Sequence, residues 1–289
     1  MNGWGFFLPM PGKNIIGLIM HNSSYLMENA EEALRLDVKI EDLKIERQAK
    51  WAGIKPGMRV ADLGCGPGRI TSILNKLVQP GGKVVGVDGS GERIDYAQNK
   101  YGGAEGLEFI TRDITQPLDD LGMFDFIWVR FVLEYHLSGS FALVRNFSHC
   151  LQSGGILCLS DLDHNPFVCY GAPPRLDRTF SRIMRELEEK HDFDPFVGRK
   201  LYSFLYDLNF ENIEVNVEIY KALFGEINDG DVYNILKKIE VAPKRINFDF
   251  AEYAGGFDAF YAEAEAFFSD PRRFTYAPLI ICCGKKGVS

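Results

Sequence analysis

Side chains able to do chemistry gather in a few short stretches of this chain. The run Asp62-Leu63-Gly64-Cys65-Gly66-Pro67-Gly68 places three glycines at alternate positions between an apolar segment and a helical pattern. Glycines there permit backbone angles and a close ligand approach that side chains forbid, and a helix N-terminus beyond them attracts polar ligand groups. A second acid, Asp88, closes Lys83-Val84-Val85-Gly86-Val87-Asp88 and is followed by Gly89. A carboxylate in that place can accept hydrogen bonds from both hydroxyls of a ribose. A third acid stands in Arg112-Asp113-Ile114, after another apolar run. Of the five histidines, His136 and His164 follow expected strand ends, where a general base could take a proton.

The elements that hold these residues follow from periodicity. Val60, Ala61 and Leu63 read as the end of a buried parallel strand, and Ile70, Ile73, Leu74, Leu77 and Val78 as the buried stripe of a helix. The glycine turn therefore links strand to helix. A dinucleotide fingerprint carries its third glycine one position later than Gly68, which weakens a nicotinamide reading. Ser90 is placed to cap a helix over Glu92 to Lys100, with Ile94 and Ala97 inward. Leu107 to Thr111 and Phe124 to Arg130 are further largely apolar runs, and Leu143 to Leu151 precedes a third, Ser153-Gly154-Gly155-Ile156-Leu157-Cys158-Leu159.

Four such motifs in this order resemble the class I, Rossmann-like S-adenosylmethionine-dependent methyltransferases, within them the small-molecule, quinone-biosynthesis-type branch. The resemblance is dense over residues 55 to 163 and loose elsewhere. It implies an α/β fold: a doubly wound, seven-stranded, Rossmann-like sheet, mostly parallel with an antiparallel last strand, plus an inserted helical cap. It implies S-adenosylmethionine as cofactor and S-adenosylhomocysteine as its product. Carried onto this chain, it sets Gly64, Cys65 and Gly66 around the methionine and ribose, Asp88 with Gly89 at the ribose hydroxyls, and Asp113 with the Ile114 backbone at the adenine. Asp62 acts through water or orients the turn. Arg130 either contacts the cofactor, by carbonyl or side chain, or pairs with Glu134.

In-line displacement at a sulfonium methyl relies mainly on alignment, and a base is needed only where the acceptor must lose a proton. His164 is a candidate for that base or for a substrate contact; alternatively it orients its loop with Asp163. His136 either serves the site or begins the turn into the next helix, and His149 reads as a partly buried helical residue. The acid that a catechol-type metal site needs after the fourth strand is missing, so no metal is expected.

Three regions are expected. Residues 1–53 form a helical layer over the cofactor, in which Tyr25 and Arg35 either meet the methionine carboxylate or, respectively, pack and pair with Glu31 or Glu32. Residues 54–163 form the cofactor-binding core, and 164–289 complete the sheet and add lid helices. Pro173-Pro174 opens a helix with Leu176, Phe180, Ile183, Met184 and Leu187 on one face. Phe210 to Val217 and Phe274 to Cys283 read as the last strands. Between them, Phe257, Phe260, Tyr261, Ala264, Phe267 and Phe268 form a stripe that is either cap core or the lining for a flat apolar acceptor.

Composition narrows the partners. The chain has 289 residues, is 46% hydrophobic, and carries a net charge of -8 without a basic run, which disfavours nucleic acid. Its six cysteines form no CxxC pair and lie mostly in apolar segments, as in a cytoplasmic protein. No run approaches the ~20 apolar residues needed to span a bilayer, and no signal-peptide pattern is present. The expected partner is a small, hydrophobic methyl acceptor. A methyltransferase-like binding protein without catalysis, or a protein or RNA methyltransferase, is the alternative. Oligomeric state stays open, a homodimer included.

Overall fold

Apolar runs that are buried on both faces force the centre of this molecule into a parallel sheet. The computed structural model describes residues 42–164, 168–227 and 229–287, so Tyr25, Arg35 and most of the expected N-terminal layer lie outside the described residues. Helix α1 (Asp42–Trp51) leads into β1 (Arg59–Leu63), α2 (Arg69–Val78), β2 (Lys83–Asp88), α3 (Gly91–Tyr101), β3 (Leu107–Thr111) and β4 (Phe124–Arg130). Then come α4 (Ser140–His149), β5 (Leu151–Leu162), β6 (Val168–Tyr170), α5 (Pro174–Lys190), α6 (Leu201–Asp207), β7 (Phe210–Leu223), α7 (Asp229–Arg245), α8 (Gly256–Ser269) and β8 (Phe274–Lys286).

Strands run β3-β2-β1-β4-β5-β8-β6 across one sheet, and β7 pairs with the other edge of β8. Strands β1 to β5 are mutually parallel, and β8 is antiparallel to β5, β6 and β7. The doubly wound, mixed sheet is thus the one expected, with an eighth strand added. That addition, β6, pairs Val168–Tyr170 with the start of β8, beyond the end of β5.

Alternation in β4 shows how the core is divided. Phe126 and Trp128 face α1 and α2, packed with Val60, Leu74 and Cys158. Ile127 and Val129 face α4 and α6, packed with Leu133, Val144 and Phe147. Strand order reverses between β1 and β4, and the crevice outside their carboxyl ends is where open α/β sheets bind ligands. His149, expected to be partly buried, is exposed, because it is the last residue of α4 and falls on its outer face.

Helices α5, α7 and α8 build a separate apolar cluster. Phe260 is fully buried at its centre, with ring centroids 5.9 Å from Phe180 and 4.9 Å from Phe250. Phe267 and Phe268 are buried with it, so the α8 stripe is cap core at these three positions. Truncating Phe260→Ala should lower unfolding free energy by about 3–5 kcal/mol in a denaturant titration. Phe224→Ala, at a ring 65% exposed, should stay within about 0.5 kcal/mol of wild type.

Candidate functional site

The turn after β1 is fastened to β2 before any ligand is considered. Gly64 and Cys65 both donate their N–H to the Val87 carbonyl, at 2.8 and 3.0 Å. Gly64, Gly66 and Gly68 all adopt positive φ, at 80, 53 and 82 degrees, but for different reasons. A Cβ on Gly64 would stand 2.3 Å from Val132 Cγ2, and one on Gly68 2.7 Å from both Ala97 Cβ and Phe109 Cε1. These two glycines let the protein pack on itself. At Gly66 and at Gly89, by contrast, no heavy atom of the described residues comes within 4 Å of that position.

Between the two open glycines lies the Asp88 carboxylate. Its Oδ2 accepts the Gly66 N–H at 2.8 Å, and its Oδ1 accepts the Ser90 N–H at 2.9 Å. Arg93 adds Nε at 3.1 Å and Nη2 at 2.8 Å to the same Oδ1. Ser90 caps α3 as expected, its Oγ accepting the Arg93 N–H. The cradle of Gly66, Asp88 and Gly89 is open on one side and lined by a carboxylate, which suits a ribose diol.

Asp62 sits lower in the turn, buried, and accepts the Thr71 hydroxyl at 2.7 Å. Burial pushes its carboxyl up to about 7; the Thr71 bond opposes this, nearby Asp88 adds to it, and Arg130 offsets part. Burial likewise pushes the Cys65 thiol well up, so Cys65 is a packed turn residue and not a thiolate.

Asp113 is exposed after β3, and its Oδ1 accepts both the N–H and the hydroxyl of Thr115, at 2.9 and 2.7 Å. Burial is the largest single influence and raises its carboxyl, but the two Thr115 bonds, with Gln116 and His136, together outweigh it and hold the group below the usual range. Ile114 is half-buried against the core beneath β1 and β4. His136 ends the single turn Leu133–Tyr135 after β4, where burial lowers its pKa against the opposing charges of Asp192 and Asp113. The structure thus brings His136 towards Asp113. His164 stacks edge-on against Phe196 at 5.5 Å, while Asp163 is taken by Arg199 at 2.7 Å.

Arg130 forms no ion pair with Glu134. Its Nη1 donates to Gln48 Oε1 and Ser160 Oγ, on the α1 face of the sheet. Glu134 is instead buried beside Asp161, which the sequence suggested only as part of a metal site it otherwise lacks. Asp161 Oδ2 accepts the N–H groups of Leu133 and Glu134 at 3.1 and 3.3 Å, fixing the turn after β4. Burial, and then the neighbouring Glu134, push the Asp161 carboxyl well up. An acid inside the apolar run Leu157-Cys158-Leu159-Ser160-Asp161-Leu162 was the available signal. Thr71 and Arg93, which hold Asp62 and Asp88, were missed as well.

The family model of a methyltransferase domain matches residues 54–237, well over half of the chain. The chain belongs to the class I S-adenosylmethionine-dependent methyltransferases. Juvenile hormone acid O-methyltransferase of Bombyx mori is 34% identical over 218 residues, 70% of this chain and 74% of that one. Demethylmenaquinone methyltransferase of Staphylococcus aureus is 28% identical over 116 residues, 39% of this chain and 47% of that one. The match covers about half the length of several curated relatives. Among solved structures, coclaurine N-methyltransferase, bound to N-methylheliamine and S-adenosylhomocysteine, superposes with TM-score 0.51 at 20% identity, over 84% of this chain and 72% of that one. At that identity the likeness is one of fold.

In this methyltransferase the glycines make separable predictions. Gly66→Ala should cost about 1–2 kcal/mol in stability, the penalty of a left-handed alanine, and should block S-adenosylhomocysteine binding in a calorimetric titration. Gly68→Ala should lose several kcal/mol more, through overlap with Phe109 and Ala97. Asp62 makes a pH prediction. Its folded pKa lies above the unfolded value, so its contribution to stability is full below about pH 4 and is lost as pH rises to about 7. Asp62→Asn should remove that dependence, and unfolding at pH 4 and pH 8 should show wild type losing about 4 kcal/mol relative to the variant.

Proposed function

We propose that this protein transfers the methyl group of S-adenosylmethionine to a small, hydrophobic metabolite in the cytoplasm. The observation that carries the reading is the cradle in which open Gly66 and Gly89 flank the Asp88 carboxylate. When bound, the cofactor supplies an electrophilic methyl on a sulfonium. The chain supplies the rest. Backbone at Gly64, Cys65 and Gly66 borders the methionine and ribose, Asp88 with Gly89 takes the diol, and Asp113 with Ile114 the adenine.

Alignment comes from packing. Val132 lies so close to Gly64 that a side chain there would overlap it, which packs the segment after β4 against the glycine turn. Asp161 locks the same segment through two backbone N–H groups. Proton removal, where the acceptor requires it, falls to His164 or His136. Burial keeps His136 in its neutral form, the one a base needs. Relatives named for juvenile hormone acid and demethylmenaquinone support a hydrophobic acceptor. The six cysteines, none in a disulfide, support a reducing compartment. Among the described residues no helix is long and apolar enough to cross a membrane.

Calorimetry with S-adenosylmethionine, S-adenosylhomocysteine and NAD tests the cofactor. Both adenosyl ligands should bind, and Asp88→Ala should weaken them by roughly 1.5–3 kcal/mol. Binding of NAD alone would sink the proposal. Methyl transfer from labelled cofactor into a metabolite extract should yield a labelled apolar product. Tight binding with no labelled product would make the protein a cofactor-binding module.

A further inference from the structure

Two buried polar residues stand at the entry to β8. Burial alternates there: Arg273, Thr275, Ala277 and Leu279 are buried, while Phe274, between the first two, is 44% exposed. Arg273 and Thr275 therefore share one face. Directly across from Thr275 stand Leu223 on β7 and Cys169 on β6. Leu223 belongs to the apolar cluster of α5, α7 and α8, and Cys169 packs against it. Residues opposite one another in an antiparallel pair point to the same side, so an arginine and a threonine face the apolar interior of the cap.

Arg273 is 2% exposed, and one nitrogen of its guanidinium holds it in place. Nη1 donates to the Gly225 carbonyl at 2.9 Å and to the Asp270 carbonyl at 2.8 Å, tying the end of α8 to the connection between β7 and α7. Nε and Nη2, the donors of the other edge, are sealed from solvent and have no acceptor. The Thr275 hydroxyl is in the same state. Burial lowers the Arg273 pKa, and the Asp270 charge opposes this. The Asp270 carboxylate is engaged elsewhere, by Arg272 Nε at 3.0 Å and Nη2 at 2.6 Å. Among the described residues no carboxylate forms an ion pair with Arg273. A charged fork left without an acceptor inside an apolar cluster is destabilising, and an oxyanion that accepts both N–H bonds removes that penalty.

The pair stands above the carboxyl ends of the parallel strands. Leu279 lies opposite Leu162, the last residue of β5, and β8 runs antiparallel to β5. Thr275 is four residues beyond that point, about 13 Å at the rise of an extended strand.

We infer that Arg273 and Thr275 receive the oxyanion of an elongated, apolar acceptor seated under the cap, the anion being remote from the atom that takes the methyl group. The inference rests on the methyl-transfer reading for what enters there. A carboxylate matches the fork, its two oxygens taking Nε and Nη2, with the Thr275 hydroxyl as a third donor on the same face. Lysine supplies charge at this position but not the planar fork.

Wild type, Arg273→Met, Arg273→Lys and Thr275→Val, each loaded with S-adenosylhomocysteine, should be titrated calorimetrically with dodecanoate and with dodecanol. Wild type should bind dodecanoate at least about tenfold more tightly than dodecanol. Arg273→Met should erase that preference and leave dodecanol within about twofold of wild type. Arg273→Lys keeps a donor for the two carbonyls, so it should stay folded and still lose most of the preference. Thr275→Val has the same shape without an unsatisfied hydroxyl; it should melt no lower than wild type yet weaken dodecanoate by about fivefold. A wild type that takes up S-adenosylhomocysteine but binds neither amphiphile, or binds both alike, overturns the assignment and leaves the methyl-transfer reading standing. Equal weakening of both amphiphiles in the arginine variants, or a preference that survives in them, overturns it too, the first marking an arginine that merely ties α8 to the β7–α7 connection. A wild type that binds no S-adenosylhomocysteine overturns the methyl-transfer reading itself, and this assignment with it.

Discussion

One carboxylate holds the ligand end of this molecule together. Asp88 accepts backbone N–H groups from Gly66 and from Ser90, so a single side chain joins the turn before α2 to the turn before α3. Both turns expose donors that burial would otherwise leave unsatisfied. The same carboxylate sets the spacing of the two open glycines. Arg93 completes the arrangement by spending two donors on Oδ1, which leaves Asp88 accepting four hydrogen bonds in all. A carboxylate has about that many acceptor positions. In the proposed complex the ribose hydroxyls would compete with the Arg93 guanidinium for the same oxygens, and cofactor binding would then include the free energy of moving an arginine.

The fold was legible in the sequence because its core obeys local rules. Parallel strands covered on both faces appear as unbroken apolar runs, and Val60-Ala61, Phe126 to Val129 and Leu157 to Leu159 all do. The Ser90 cap and the glycine turn carry their own short-range signals. Strand β6 does not, since three residues cannot display a period. The roles of Gly64, Gly66 and Gly68 are equally hidden, because they look alike in sequence. What separates them is Val132, Ala97 and Phe109, brought in from other elements.

Polar partners were read less well, for a geometric reason. Arg130 and Glu134 are four residues apart, a spacing that brings side chains together only on an α-helix. Phe131 at positive φ and the single turn Leu133–Tyr135 break that spacing. Glu134 is rotated to Asp161, and Arg130 is left to Gln48 and Ser160. The roles of Asp161 and Thr71 were missed because their partners are backbone groups and one buried acid, neither of which leaves a pattern.

Strand β8 is the last in chain order yet sits between β5 and β7, and it also reaches the cap through its pairing with β6. During synthesis, the β5 edge from Ile156 to Leu162 has its future neighbour more than a hundred residues away. Loop closure over that distance is slow, and an open apolar edge invites pairing with other chains. The helices of α7 and α8, made between β7 and β8, must fold or wait while that edge stands open. Yield on expression should therefore be governed by how quickly the C-terminal strand is delivered, even though the turn fastened by Asp88 lies in the first half of the chain.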